Sequence, residues 1–522
     1  MDLQGAGSIN LSMSRRRFLK YGAVTAASAA GAGFPVRALA ASGTPGGSAA
    51  ALAAVVSPVV AQIMQGFGAT GAWWPNDLVK FDSPVRDQVG ELLFGKSGIA
   101  LSVYRYNIGG GGVGVNDPSR APQTFLTSSG GYDWNRDPGG QLFLQMAART
   151  VPVLIGFVNS APTPWTTNGL NCGGSLKPGS EWAYGGYLAD IAAHFQSQGI
   201  TLSYLSPMNE PDYTFAGGNQ EGMAVPTWQR AVVVQSAGRQ LAQRAPNSRL
   251  IADESSHVGD QFNPEVPQWM TVPGTAQYVA YLAHHIYDFP SDLALQVARR
   301  IGQAYGKTLW CTEICCIDSR TGRFGQQYDP TIAGAMPLAN LIWQCLTQAN
   351  DASFHWWLAC SSAMGTDPVV SPGSEKQVNL KGWNDGLLYY APRYAGIANK
   401  EQIYTTKRFY AMGNFSRYVR PGDQRHDVSG GPSNLRILAF STSAGWSFVV
   451  TNNSAAGAPA TSFQVQLPPL PWPALTVTDA VETSGTKSLQ PGGAPSFNTA
   501  SRVLSGTVPA QSITTYVLRV TG

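Results

Sequence analysis

Two short motifs 103 residues apart each set a glutamate at the end of an apolar run: Ser206-Pro207-Met208-Asn209-Glu210-Pro211 and Leu309-Trp310-Cys311-Thr312-Glu313. Two carboxylates brought to one pocket can cleave a glycosidic bond. One protonates the departing oxygen, and the other attacks the anomeric carbon or activates a water. A separation of roughly 5–5.5 Å gives retention and a longer one inversion. The two groups need different protonation states, and a close pair supplies them, because the charge on one raises the pKa of the other. Glu313 stays ionised if donors surround it, which leaves Glu210 protonated as the acid. Once a glycosyl-enzyme forms on Glu313, Glu210 acts as base toward water. Asn209 is suited to bond the sugar hydroxyl next to the reacting carbon, a contact that strengthens in the transition state. Taken singly, either glutamate reads as a salt-bridged loop carboxylate; the pairing argues against that. Asp253 and Glu254 are rival carboxylates, read as subsite or structural groups.

The elements that must position these residues follow from the apolar runs. Eight read as buried parallel strands: Ile63–Phe67, Ala100–Tyr106, Pro152–Val158, Leu202–Pro207, Leu250–Ala252, Tyr278–His284, Thr308–Cys311 and Ser353–Trp357. Helix-like stretches such as Trp228–Arg244 and Ser291–Tyr305 lie between them. That alternation predicts an α/β fold, a (β/α)₈ barrel over 63–414, whose functional groups gather at the C-terminal ends of its strands. Residues 415–522 are rich in Ser, Thr, Val, Gly and Pro, with alternating segments Asn434–Thr442, Trp446–Asn452, Thr461–Leu467 and Ser512–Val520. This texture predicts an antiparallel β-sandwich. Residues 41–54 read as a small-residue linker, and 55–62 as a strand added at the edge of that sandwich.

The N-terminus carries Ser14-Arg15-Arg16-Arg17-Phe18-Leu19-Lys20, an Ala/Gly-rich apolar run and Ala38-Leu39-Ala40 before Ala41. This order reads as a twin-arginine export signal over 1–40, and predicts a secreted or periplasmic protein. Removing it takes five Lys/Arg and one acid from the 35 and 31 of the chain, leaving thirty of each sign. A nucleic-acid partner would need a basic surplus, and none exists. No later run of apolar residues is long enough to span a bilayer. Charged residues are 13% of the chain and Trp numbers 14, a balance suited to neutral, hydroxyl-rich ligands. The expected partner is thus a polysaccharide or oligosaccharide, with no nucleic acid and no membrane, and the protein is expected to be a monomer. Six cysteines are expected as buried thiols or one disulfide; Cys311, Cys315 and Cys316 lack the paired spacing of a zinc site. No metal or cofactor is expected. Gly109–Gly112 lacks the pattern of a phosphate loop and reads as a barrel loop that approaches the sugar closely.

Further motifs extend along the chain. Gly66-Phe67-Gly68-Ala69-Thr70-Gly71-Ala72-Trp73-Trp74 follows the first strand, Tyr104-Arg105-Tyr106-Asn107-Ile108-Gly109-Gly110-Gly111 the second, and Ser160-Ala161-Pro162-Thr163-Pro164-Trp165 the third. Phe415-Ser416-Arg417-Tyr418-Val419-Arg420-Pro421-Gly422 and Gln511-Ser512-Ile513-Thr514-Thr515-Tyr516 mark the second domain. With the two glutamate motifs, their order resembles glycoside hydrolase family 30, in the clan of retaining β-glycosidases. The resemblance implies that Glu210 is the acid/base and Glu313 the nucleophile, with Arg105 beside the nucleophile and His285 and Tyr287 beside the carboxylates. Trp165 and Trp357 are candidates for stacking on sugar faces. Gly71–Asp77 and Asn107–Gly112 look most like the endo-β-1,6-galactanase branch, which cuts arabinogalactan side chains. The alternatives are a β-1,6-glucanase, xylanase or exo-acting β-glycosidase of the same chemistry, and a non-catalytic carbohydrate-binding protein.

Overall fold

The computed structural model describes residues 53–366, 373–469 and 474–521. The expected export signal, and all but the last two residues of the expected linker, lie outside them.

Eight parallel strands close into a barrel: Gly66–Gly71, Val103–Ile108, Val153–Val158, Tyr204–Ser206, Arg249–Ser255, Val279–His285, Leu309–Glu313 and Ser353–Ser361. They pair in chain order, and the eighth closes the ring on the first (Ser353 opposite Gly66) and on the seventh (Phe354 opposite Cys311). Helices such as Ser83–Phe94, Glu181–Ser197 and Thr227–Arg244 connect them. Covered on both faces, these strands need no polar side, which is why they read as unbroken apolar runs. Their inward residues pack a plug of Val103, Val153, Ile155, Ile251, Ala283 and Trp310. Beside the plug, His355 bonds Ser353 Oγ at 2.8 Å, and further inward polar groups gather at the C-terminal mouth.

The first strand starts three residues later than the apolar run suggests. Ile63 ends the preceding strand, Ala54–Ile63, and the chain swings into the barrel at Gly66, with φ +121°. A Cβ there would sit 2.2 Å from Ser102 Oγ, so the crossing requires glycine. Two further strands, Gly386–Tyr390 and Ile403–Thr405, extend the sheet beyond strand eight, in a stretch where the sequence suggests none.

The C-terminal strands form a second, mainly antiparallel sheet folded over its own core. Ala439, Trp446, Phe448 and Leu518 from one part meet Phe463, Val465 and Leu504 from the other. Ala54–Ile63 is not an edge strand. It pairs antiparallel with Gln424–Ser429 on one side and, at Ala54 and Val55, parallel with Thr461–Gln466 on the other. The expected boundary at 414/415 falls inside the helix Lys407–Ser416, which serves both parts. Its Phe415 ring lies 5.6 Å from that of Phe67 in barrel strand one. Its Asn414 Nδ2 donates to Val481 O and Thr515 Oγ1, both at 3.1 Å, and Thr515 Oγ1 donates back to Asn414 O at 2.7 Å. No helix among the described residues is long and apolar enough to cross a membrane.

Asn414→Ala would strip two donors from a buried joint. Its expected cost is about 1–3 kcal/mol of stability, read as a lower urea midpoint with the m-value unchanged.

Candidate active site

Alternation along a strand sends every second side chain inward. Val103 belongs to the inner plug, so Arg105 also points into the barrel, where it is fully buried. Ala283 and then His285 repeat the pattern on strand six. On strand seven, plain alternation from Trp310 would turn Glu313 outward. The pairing slips between Cys311 and Glu313, so that Glu313 stands opposite His285 and its carboxylate enters the mouth. Plain alternation from inward Ile251 would send Asp253 in and Glu254 out; strand five pairs irregularly on both sides of residues 251–253, and the two rival carboxylates lie the other way round. Asp253 turns to the helix layer, to Arg230 Nη1 at 2.8 Å and Trp269 Nε1 at 2.9 Å. Glu254 turns inward to Arg105. Glu210 follows strand four with φ +45°, its N–H donating to Glu254 O at 3.0 Å.

The mouth is built around one cation. Arg105 Nη1 donates to Glu313 Oε2 and to Thr70 Oγ1, both at 3.0 Å. Its Nη2 donates to Glu254 Oε1 at 2.9 Å and Asn209 Oδ1 at 3.2 Å, and its guanidinium lies 4.2 Å over the Phe157 ring. With its oxygen so engaged, Asn209 keeps its amide Nδ2 to offer a ligand. Tyr287 Oη donates to Glu313 Oε1 at 2.9 Å. His285 Nδ1 is 3.1 Å from Glu210 Oε1, and its Nε2 is 3.8 Å from Glu313 Oε2. One oxygen each of Glu210 and Glu313 and one nitrogen of His285 lie within 4.8 Å of one another. A trio this compact could hold a metal ion; among the described residues, the three neighbouring cysteines form no such group.

Burial pushes Glu210 well above the usual carboxylate range, and the negative charges of Glu313 and Asp212 push it further. Burial also raises Glu313, but Arg105 and the Tyr287 hydroxyl pull it back. Burial, and next Arg105, hold His285 well below the ordinary imidazole value, so the ring is neutral at neutral pH. The mouth thus pairs an oxygen acid with a more readily ionised carboxylate.

Aromatic rings wall the mouth. Trp357 meets Trp73 edge to face at 5.2 Å, and Arg120 lies 4.6 Å over the Trp73 ring. Trp165 stands apart from that pair, packing at 5.6 Å and 6.3 Å against Tyr187 and Tyr184. Trp73 belongs with the candidate residues although sequence reasoning did not single it out. The signal is the doublet: Trp74 is buried and donates to Thr70 O, while Trp73, at φ +68°, turns the other way. In the glycine run Gly109 and Gly110 are packed against protein, for a Cβ at Gly109 would lie 2.2 Å from Pro122 O and one at Gly110 2.7 Å from Ser160 O, while Gly111 is exposed. The loop wraps buried Glu221, which accepts from the Gly110 and Gly112 amides at 3.2 and 2.8 Å. Cys315 and Cys316, adjacent in sequence, form a disulfide two residues beyond Glu313; Cys172, Cys311, Cys345 and Cys360 are free and buried.

Residues 55–371 match the sequence model described as "O-Glycosyl hydrolase family 30". The glucuronoxylanase XynC of Bacillus subtilis (strain 168) is 25% identical over 358 residues, 67% of this chain and 69% of its own. A conserved exported protein from Bacteroides fragilis superimposes with a TM-score of 0.73 at 20% identity, covering 89% of this chain and 99% of that one. The endo-β1,6-glucanase BT3312 superimposes with a TM-score of 0.66 at 18% identity, covering 92% and 95%. At such identities the superpositions establish the shared fold.

Glu221→Ala leaves two backbone amides without their acceptor, an expected loss of about 1–3 kcal/mol. Glu221→Gln keeps one acceptor oxygen and should fall between it and the parent when chemical denaturation curves are compared.

Proposed function

Since the chain belongs to O-glycosyl hydrolase family 30, we propose that it is a retaining endo-β-1,6-galactanase acting on arabinogalactan side chains. Residues 55–371 fall within that family, so the protein is a glycoside hydrolase; the linkage and the residue roles are the proposal. The observation that carries the mechanism is the approach of Glu210 and Glu313 to within 4.8 Å. That is the short spacing of covalent double displacement, not the roughly 6.5–9.5 Å that seats a water between two carboxyls.

In the first step Glu313 attacks the anomeric carbon while protonated Glu210 hands its proton to the departing oxygen. Arg105 and Tyr287 keep the attacking carboxylate ionised and aimed. Asn209 offers its amide to the adjacent hydroxyl, and neutral His285 stays within bonding distance of Glu210. Forming the ester removes the charge on Glu313, so Glu210, its proton already given up, stays ionised; in the second step it takes a proton from the water that attacks the anomeric carbon and displaces Glu313. Trp73, Trp357 and Trp165 supply ring faces for a sugar that is apolar above and below its hydroxyls. Support for β-1,6-galactan comes from the Gly71–Asp77 and Asn107–Gly112 motifs.

Debranched arabinogalactan, β-1,6-glucan and glucuronoxylan, offered in parallel, test the reading. The expected result is galacto-oligosaccharides whose new reducing ends start in the β configuration by NMR, with the glucan and xylan cut far more slowly. An inverted product would sink the mechanism, and preference for glucan or xylan the galactan assignment. Glu313→Gln should lower kcat by about 10³-fold or more. Tyr287→Phe removes the donor to Glu313 at 2.9 Å, together with a longer 3.8 Å contact to Cys315 Sγ. A hydrogen bond to a charged group is worth about 1.5–3 kcal/mol, so kcat should fall by roughly ten- to a hundredfold. Its loss raises the pKa of the nucleophile, so the acid limb of the kcat/KM profile should move to higher pH. The alkaline limb, set by Glu210, should stay near its place.

A further inference from the structure

Two tryptophans stand clear of the barrel on its catalytic side. Trp182 is 52% exposed and Trp228 65%, and neither takes part in the mouth. Each sits in the first turn of a helix, Glu181–Ser197 and Thr227–Arg244, which follow barrel strands three and four. Barrel helices of this kind begin beside the C-terminal ends of the strands, where the mouth opens.

Their relative direction follows from helix geometry. Gln229 Nε2 donates to Glu181 Oε1 at 2.7 Å, fixing where the two helices face each other. Trp182 comes one residue after Glu181 and Trp228 one residue before Gln229. Each is therefore turned about 100° from the contact line, and because the helices run parallel, both rotations lead to the same outer face. Neighbouring helix axes lie about 8–10 Å apart, so the indoles stand side by side at about that spacing or slightly more.

The ledge that carries them is tied to the mouth. Gly174–Ser175 pairs with Met223–Ala224, and Leu176 N donates to Ala224 O at 2.9 Å. Val225 N donates to Pro211 O, the residue after Glu210, at 2.9 Å, and Lys177 N donates to Trp165 O at 2.8 Å. Along 176–183 and 225–232 the ionisable groups are Lys177, Glu181 and Arg230, and of these only Lys177 is exposed. The large exposed apolar side chains of the ledge are those two rings and Val232, with the smaller Pro178 and Ala183 also exposed. A stable protein interface needs about 800 Å² per partner with a packed centre, which such separated rings do not provide. Indoles on a ledge whose one exposed ionisable group is Lys177 do suit stacking on the apolar faces of a neutral sugar chain.

We infer that Trp182 and Trp228 form an accessory platform that holds a neutral polysaccharide strand as it leaves the catalytic mouth. The inference rests on the glycanase reading above. Its occupant is one strand of the polymer, outside the bond being cut.

The test compares the full-length protein with the Trp182→Ala/Trp228→Ala double variant, each also in a Glu313→Gln background that leaves bound polymer intact. The expected result is that retention of the Glu313→Gln protein in gels containing debranched β-1,6-galactan weakens by about five- to tenfold in the double variant. KM for the polymer should rise to match, while kcat/KM for a small aryl β-galactoside and the melting temperature stay unchanged. Unaltered retention and unaltered polymer KM overturn the platform. So does a parent that sediments as a dimer and a double variant that sediments as a monomer, for then a second copy covers the rings. Turnover of the aryl glycoside with no retention on galactan, β-1,6-glucan or xylan overturns the platform alone. No turnover of any of these substrates overturns the hydrolase reading on which it rests.

Discussion

A single buried guanidinium organises the mouth of this barrel. Arg105 has no exposed surface, and a charge so placed costs several kcal/mol unless partners surround it. It has two carboxylates, Glu254 and Glu313, with Thr70 and Asn209 taking the other Nη donors and Nε left without a partner. The double partnership matters for the proposed reaction, because Glu313 loses its charge when the sugar ester forms. At that moment Arg105 would be a lone buried cation if Glu313 were its sole partner. Glu254 keeps it paired through both halves of the cycle, which accounts for a third acidic group in the mouth with no bond-making role of its own.

Putting three acids and one cation in the same place taxes the barrel's geometry, and the backbone shows where. Regular alternation would aim Glu313 out among the helices, and only the slip beside it brings the carboxylate opposite His285. Strand five, irregularly paired, departs from plain alternation too: Asp253 ties down the helix layer through Arg230 and Trp269, and Glu254 faces inward. Glu210 itself takes a left-handed backbone conformation, as do Glu254 and Trp73. Non-glycine residues held in that region gather where the surroundings over-determine them, and active sites are the usual place. The apolar plug beneath and the helix Lys407–Ser416 beside the first strand provide such surroundings.

These same irregularities mark the limit of what the sequence discloses. The barrel was legible because strands covered on both faces become runs of Val, Ile, Leu and aromatic residues, and the eight runs stand within a few positions of the eight strands. The two glutamates were legible as acids ending such runs. Strand slips leave no mark in composition, so the separate fates of Asp253 and Glu254 were hidden. Glu221 lies more than a hundred residues from the glycines it anchors, so no local pattern discloses it. Ile63 joined the barrel on paper because hydrophobicity does not say which of two adjoining sheets takes a residue; the turn at Gly66 decides it. The N-terminal strand was legible as a strand but not as one with neighbours on both sides, since its second partner touches it at only two residues.

Burial and charge act on the two catalytic candidates in different proportions, and the difference is what the proposed chemistry needs. Enclosing the mouth with Trp73, Trp357 and Phe157 raises both carboxyls, because a low-dielectric wall penalises either anion. Taken alone, that would leave two protonated acids and no nucleophile. Arg105 and Tyr287 reach only Glu313 directly, so they hold it at about 7 against its burial while Glu210 stays well above the usual carboxylate range. Neutral His285 beside Glu210 adds no positive charge that would undo the separation. The wall therefore sets how strongly the acid holds its proton and the cation sets which carboxylate gives one up first. Neither the ring faces nor the guanidinium would produce a working acid and nucleophile without the other.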